Sequence, residues 1–122
     1  MTRPVAALTG AGGFLGRRLA HRLHNDGWRV RALVRRPLDP GLWQGPAPEL
    51  VHGDLADQAA LARLVGGVTL VIHCAGVVSA RTRAGFFAAN ADGARRVAEA
   101  TAAGAPDARM VLVSSLARLL AA

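Results

Sequence analysis

The chain has 122 residues, the length of one domain, with 52% hydrophobic and 19% charged residues and 14 glycines. That balance excludes disordered and collagen-like chains. Its apolar runs, such as Met110–Val113, are short and bounded by turn signals, so none reads as a membrane span. The formal charge is +7, and all fifteen basic residues are Arg. They are scattered singly or in pairs, and aromatics make up only 4%, which argues against a nucleic-acid stripe or stacking platform. Cys74 is the one cysteine, so no internal disulfide forms, and no Cys/His cluster has zinc spacing. The first residues run straight into a strand and a glycine loop, so no secretory leader is expected and a cytoplasmic location is.

Val5–Leu8 reads as a first strand, ended by the glycines of TGAGGFLG. Phe14–Asn25 reads as a helix, because Leu15, Leu19 and Leu23 recur every four residues, and Gly27 supplies its stop. Val30–Val34 makes a second strand. RRPLDPGLWQGPAP carries four prolines and two glycines and is expected to be loop. A short third strand, Leu50–His52, leads to Gly53-Asp54, and Asp57 can cap a helix through Val65 that Gly66-Gly67 stops. Leu70–His73 is a fourth strand, Arg83–Ala103 a long helix ending at Gly104, and Met110–Ser114 a fifth strand. The order βαβ(loop)βαβαβ predicts an α/β fold of Rossmann type, a doubly wound parallel sheet of five strands with helices on both faces. No internal repeat or interdomain linker interrupts it. The chain stops shortly after the fifth strand, where a sheet of this kind would be followed by another helix.

The most informative segment is Thr9-Gly10-Ala11-Gly12-Gly13-Phe14-Leu15-Gly16, between the first strand and the first helix. Gly10 allows the tight turn off the strand. Gly13 lets the backbone approach a pyrophosphate, and Gly16 allows close packing of helix on sheet. Free N–H groups at the helix start would face the anion. A glycine-rich turn without a ligand is the competing reading, but a strand before and a helix after supply the context a dinucleotide site requires.

TGAGGFLG fits TGxxGxxG and resembles the fingerprint of the extended branch of the short-chain dehydrogenase/reductase family, which includes NAD(P)-dependent epimerases, dehydratases and reductases. The smaller reductases of the main branch resemble TGxxxGxG, which would need glycine at Phe14. Further matches follow in order: VRALVRRP, HGDL, VIHCAG, NADGARRVAEA and VLVSSLA. The resemblance runs over nearly the whole chain and implies cofactor contacts at Phe14 and Leu15 beside the three glycines.

Cofactor choice can be argued from charge. An NAD site places an acidic residue at the end of the second strand for the ribose 2′-hydroxyl. By resemblance that position falls at Val34, which cannot accept a hydrogen bond. Arg35 follows, and a guanidinium suits the 2′-phosphate of NADP. NADP is therefore expected over NAD, with Arg36 left as a solvated loop residue; the competing reading leaves both arginines solvated. In look-alikes the acid at Asp54 accepts from the adenine amino group and Leu55 covers the ring; a turn or cap role for Asp54 competes. Ala75 and Gly76 resemble the small residues beneath the cofactor ribose. Asn90 resembles a helix Asn that braces the active-site backbone, and an Asn in mid-helix is otherwise mildly unfavourable. His73 resembles a His that the family commonly has at this position, Cys74 reads as a packed small apolar residue, and neither is placed in a metal site.

Members resembling this pattern use a Ser or Thr after the fifth strand to hold the substrate oxygen, here Ser115, with Ser114 serving the strand end. Turn capping is the alternative for both. The family chemistry also needs a Tyr acid/base and a Lys in YxxxK, and this chain contains neither residue. Two expectations compete. The chain is the cofactor-binding part of a longer reductase, epimerase or dehydratase acting on a small-molecule carbonyl or nucleotide-sugar substrate, with homo-oligomers possible at full length. Alternatively, it is a non-catalytic NADP(H)-binding redox-sensing or regulatory module. Neither nucleic acid nor membrane is an expected partner.

Overall fold

The computed structural model describes residues 3–74 and 82–113. In chain order the elements are β1 (Val5–Thr9), α1 (Phe14–Asn25), β2 (Arg29–Val34), β3 (Glu49–His52), α2 (Gln58–Val65), β4 (Leu70–His73), α3 (Arg83–Gly104) and β5 (Arg109–Leu112). The five strands form one sheet in the order β3-β2-β1-β4-β5, with every pairing parallel. The direction of strand order reverses between β1 and β4. In sheets of this kind ligands bind there, outside the carboxyl ends of the strands.

Alternation along the strands divides the core in two. Ala6 and Leu8 of β1, Val30 and Ala32 of β2 and Ile72 of β4 join Ala20 and Leu23 of α1 on one face. Ala7, Leu33, Val51 and Val71 meet Leu61, Leu64 and Val65 of α2 and Val97 of α3 on the other. The fold is therefore doubly wound.

The elements follow the expected order, with shifted boundaries. β1 extends to Thr9 and β2 starts at Arg29, while α3 runs through Gly104 and is capped by Ala105. The fifth strand ends at Leu112, short of the predicted Ser114, which lies outside the described residues. The proline-rich loop contains a short 3-10 turn, Pro40–Leu42, begun by Asp39, whose carboxylate accepts from Gly41 N at 2.8 Å. The leucine row of α1 is not its buried face. Gly16, Ala20 and Leu23 are buried, Leu19 lies at the margin and Leu15 is exposed. A four-residue repeat drifts about 40° per step around a helix, and small Gly16 and Ala20 permit the closest approach.

Glycines end two elements as expected. Gly27 at φ +96° and Gly67 at φ +71° take the left-handed backbone just past α1 and α2. The end of α2 is also held from the sheet. Arg31 of β2 donates from Nη1 to the carbonyls of Arg63, Leu64 and Gly66 at 3.2, 3.0 and 2.9 Å. A cation at a helix C-terminus satisfies carbonyls that have no helical partner and complements the dipole.

Candidate functional site

The site is built where β1 meets α1. Gly10 has φ +75°, the conformation that turns the chain off the strand. Gly13 N then donates to Gly10 O at 3.1 Å, closing the turn. A Cβ on Gly16 would lie 1.9 Å from Gly10 O and 2.8 Å from Ala11 Cα. Gly16 therefore packs against the loop's own backbone, a correction to the expectation that it serves helix-on-sheet packing. A Cβ on Gly13 would meet only Gly10 O, at 3.5 Å, so this glycine faces open space.

The helix starts differ in how they are capped. Asp57 accepts from Ala60 N at the start of α2, and Thr82 accepts from Gly85 N at the start of α3. Gly13 gives α1 no side-chain cap, and no acidic residue stands in its first turn. Arg17 and Arg18 follow directly. Positive charge beside a helix N-terminus opposes the dipole, and an anion over the loop would reverse that cost. Arg17 Nε donates to Gly13 O at 3.3 Å, and the Arg18 guanidinium sits 4.7 Å over the Phe14 ring. Phe14 and Leu15 are 67% and 47% exposed, leaving two apolar side chains at the rim of this uncapped helix start.

Further along the strand ends, Val34 is buried and Arg35 is exposed, with no hydrogen bond or ion pair among the described residues. Gly53 N donates to Val34 O at 3.0 Å, which draws the turn carrying Asp54 against the end of β2. Asp54 Oδ1 accepts from Ala56 N at 2.8 Å. The turn role is thus real for one oxygen, and the carboxylate remains exposed. Leu55 is half-buried against the α2–α3 cluster, and a Cβ on Gly93 of α3 would come within 3.0 Å of its Cδ1. Asn90 sits partly buried on α3, remote in sequence from the glycine loop. Ala75, Gly76 and Ser115 lie outside the described residues.

Thr9 and His73 are paired in register at the ends of β1 and β4, a contact that no local sequence pattern signals. Both are buried, with Thr9 Oγ1 and His73 Nδ1 2.7 Å apart, and Cys74 N donates to Thr9 Oγ1 at 3.1 Å. This contact ties the two strands together at the switch point. Burial lowers the His73 pKa and raises that of the Cys74 thiol, so both are neutral packing groups near pH 7. Among the described residues no cluster of His, Cys, Asp or Glu could hold a metal ion, and no helix is long and apolar enough to cross a membrane.

A glycine loop opening an uncapped helix at the switch point of a 3-2-1-4-5 parallel sheet defines a Rossmann-type dinucleotide-binding fold. The chain belongs to the NAD dependent epimerase/dehydratase family, whose model matches residues 6–118. It is 53% identical over 116 residues to the ceramide reductase of Caulobacter vibrioides, covering 94% of this chain and 36% of the reductase. A solved mutant of uronate dehydrogenase from Agrobacterium tumefaciens, complexed with NAD, superposes with TM-score 0.73 at 32% identity. That match covers 93% of this chain and 42% of the dehydrogenase. A UDP-glucose-4-epimerase from Stenotrophomonas maltophila, 22% identical over 95% of this chain and 38% of its own, shares the fold with TM-score 0.77. The chain therefore spans well under half the length of these relatives.

Proposed function

We propose that this chain is the NADP(H)-binding part of an extended short-chain dehydrogenase/reductase that transfers hydride at a substrate carbonyl. The observation that carries the reading is the start of α1, which has a glycine loop, no cap, no acid, and arginines in the following turn. In this assignment N–H groups at the helix start bind the pyrophosphate, Gly13 leaves it room, and Phe14 and Leu15 cover it. Arg35 holds the 2′-phosphate, because Val34 offers the ribose hydroxyl nothing. Asp54 accepts from the adenine amino group through its unengaged oxygen, and Leu55 lies under the ring. Ala75 and Gly76 pass beneath the ribose, Asn90 braces the backbone, and Ser115 orients the substrate oxygen. The bound nicotinamide would supply the hydride.

The ceramide reductase relative favours reduction of a carbonyl on a lipid-like substrate over a nucleotide-sugar. The proton donor cannot come from a Tyr–Lys pair within these 122 residues, so in this reading it is contributed by a longer protein. The same absence favours the second reading, an NADP(H)-binding module without turnover.

Titration of the chain with NADPH and NADH tests the cofactor assignment. NADPH should bind more tightly, and Arg35→Ala should remove about 1–3 kcal/mol of that preference, the scale of a charge-assisted hydrogen bond. Equal affinities before and after the substitution would overturn it. Reading the coding DNA beyond codon 122 separates the two functional readings. An open frame encoding YxxxK supports the enzyme, and an immediate stop supports the module.

A further inference from the structure

Between β2 and the Pro40–Leu42 turn the chain folds back onto the glycine loop. A Cβ on Gly12 would lie 3.5 and 3.6 Å from Leu38 Cδ1 and Cδ2, ordinary contact distances. The end of the Leu38 side chain therefore rests beside Gly12. Leu38 is half-buried, yet among the described residues it belongs to neither core cluster. A leucine sheltered by a loop glycine, outside the core, serves the placement of its own segment more than the packing of the sheet. Gly12 stays exposed, so the contact leaves the glycine loop open to a ligand.

The chain is held on both sides of this contact. Upstream, Val34 is buried, pairs in register with His52, and its carbonyl accepts from Gly53 N at 3.0 Å. Only Arg35, Arg36 and Pro37 separate it from Leu38. Pro37 fixes its own φ and disfavours the helical region for Arg36. Downstream, Asp39 has φ −60° and ψ 126°, the extended form expected before Pro40. Its carboxylate accepts from Gly41 N at 2.8 Å, and Leu42 N donates to Asp39 O at 2.9 Å. Residues 35–37 thus bridge two fixed points and have little freedom left to lose. A group held in place before binding costs less to order on binding. We infer that Leu38 is a positioning residue for cofactor choice. Seated beside Gly12, it pins the bridge against the glycine loop and holds Arg35 ready for the 2′-phosphate. This rests on the proposed NADP(H) reading and adds to it a side chain that acts through Arg35.

Calorimetric titration of the full chain with NADPH and with NADH reads the effect as a ratio of two affinities. Leu38→Ala should lower the preference for NADPH about fivefold, the scale of ordering one long side chain. The loss should fall on NADPH, because NADH has no 2′-phosphate for Arg35 to reach. Leu38→Met, which restores an apolar end beside Gly12, should recover most of the preference. In an Arg35→Ala background, Leu38→Ala should leave the ratio where Arg35→Ala alone puts it, since the two act as one unit. A parental ratio in Leu38→Ala beside a collapsed ratio in Arg35→Ala would overturn this inference and leave the NADP(H) reading standing. So would equal weakening of both nucleotides, or a further drop in the Arg35→Ala background. Either result would make Leu38 a support of the glycine loop alone. Equal affinities for the two nucleotides in the parent would overturn the NADP(H) reading, and this inference with it.

Discussion

Gly13 and Gly16 sit three residues apart and impose opposite requirements. At Gly13 the backbone has φ −80° and ψ 171°, and a Cβ meets only ordinary contact. Gly13→Val should therefore fold, with a urea midpoint near that of the parent, and lose NADPH binding because the branched side chain fills the phosphate's place. At Gly16 a Cβ would stand 2.6 Å from the Gly10 carbonyl carbon, and backbone cannot yield as a flexible side chain can. Gly16→Ala should destabilise by about 3 kcal/mol, the upper end of overpacking costs, visible as a lowered urea midpoint. The buried Thr9–His73 contact adds a pH dependence. Burial lowers the folded pKa of His73 below its ordinary 6.5. As pH falls the unfolded chain takes up this proton first, so stability present above the unfolded value is lost on descent through the folded one. Comparing urea midpoints at about pH 7.5 and 5.5 should show a smaller loss in His73→Asn than in the parent. An equal loss would mean that His73 does not titrate between the two states. The glycine pattern in TGAGGFLG is legible because Gly10 supplies the turn and Gly16 the close approach of backbone, both local needs. The His73 contact is not, because its partner lies 64 residues away.

At the level of elements, periodicity and punctuation locate every α-helix and strand among the described residues, with errors at the ends. Pro and Gly marked the loop between β2 and β3, and Asp57 marked the start of α2 through a hydrogen bond made within four residues. The apolar run carries the sequence reading of β5 past its end, because Val113 continues it, whereas the register with β4 ends at Leu112 and Val113 N makes the last bond, to His73 O at 3.0 Å. Of the candidate site, the loop and the Arg35 and Asp54 turns could be read locally. Their approach to one another depends on the Gly53–Val34 bond between strand ends. Arg31 is the largest omission. In sequence it is one charged position in a partly alternating strand, and only the parallel crossover brings it to the end of α2. Arg31→Met would keep the aliphatic stem but lose three hydrogen bonds to carbonyls. A loss of about 1.5–3 kcal/mol is expected from the scale of charged hydrogen bonds, read from chemical denaturation. Arg31→Lys should recover only part, since one ammonium cannot reproduce the guanidinium fork. Full stability in Arg31→Met would show that α2 ends without this support.

For the whole molecule, the order of strands gives the sheet two unlike edges. β3 is short and carries Glu49 and His52 at its exposed positions. β5 carries Val111 and Leu112, which are 39% and 58% exposed, although α1, α2 and α3 bury most of the central strands. An apolar edge with unpaired N–H and C=O groups recruits other chains, so the isolated 122-residue chain should self-associate through β5. The net charge of +7 opposes this, because like-charged molecules repel over a Debye length of about 10 Å at 0.1 M salt. Apolar and ionic association make opposite predictions for salt. If the apolar edge dominates, raising ionic strength screens the repulsion, and sedimentation velocity should show more oligomer. If scattered Arg–acid contacts hold the copies together, salt should dissolve them. Leu112→Lys separates the cases further, placing a charge where strand addition would bury it. It should shift the distribution toward monomer at every salt concentration. A parent chain that stays monomeric at high concentration and high salt, indistinguishable from Leu112→Lys, would show that β5 is not an open edge in solution.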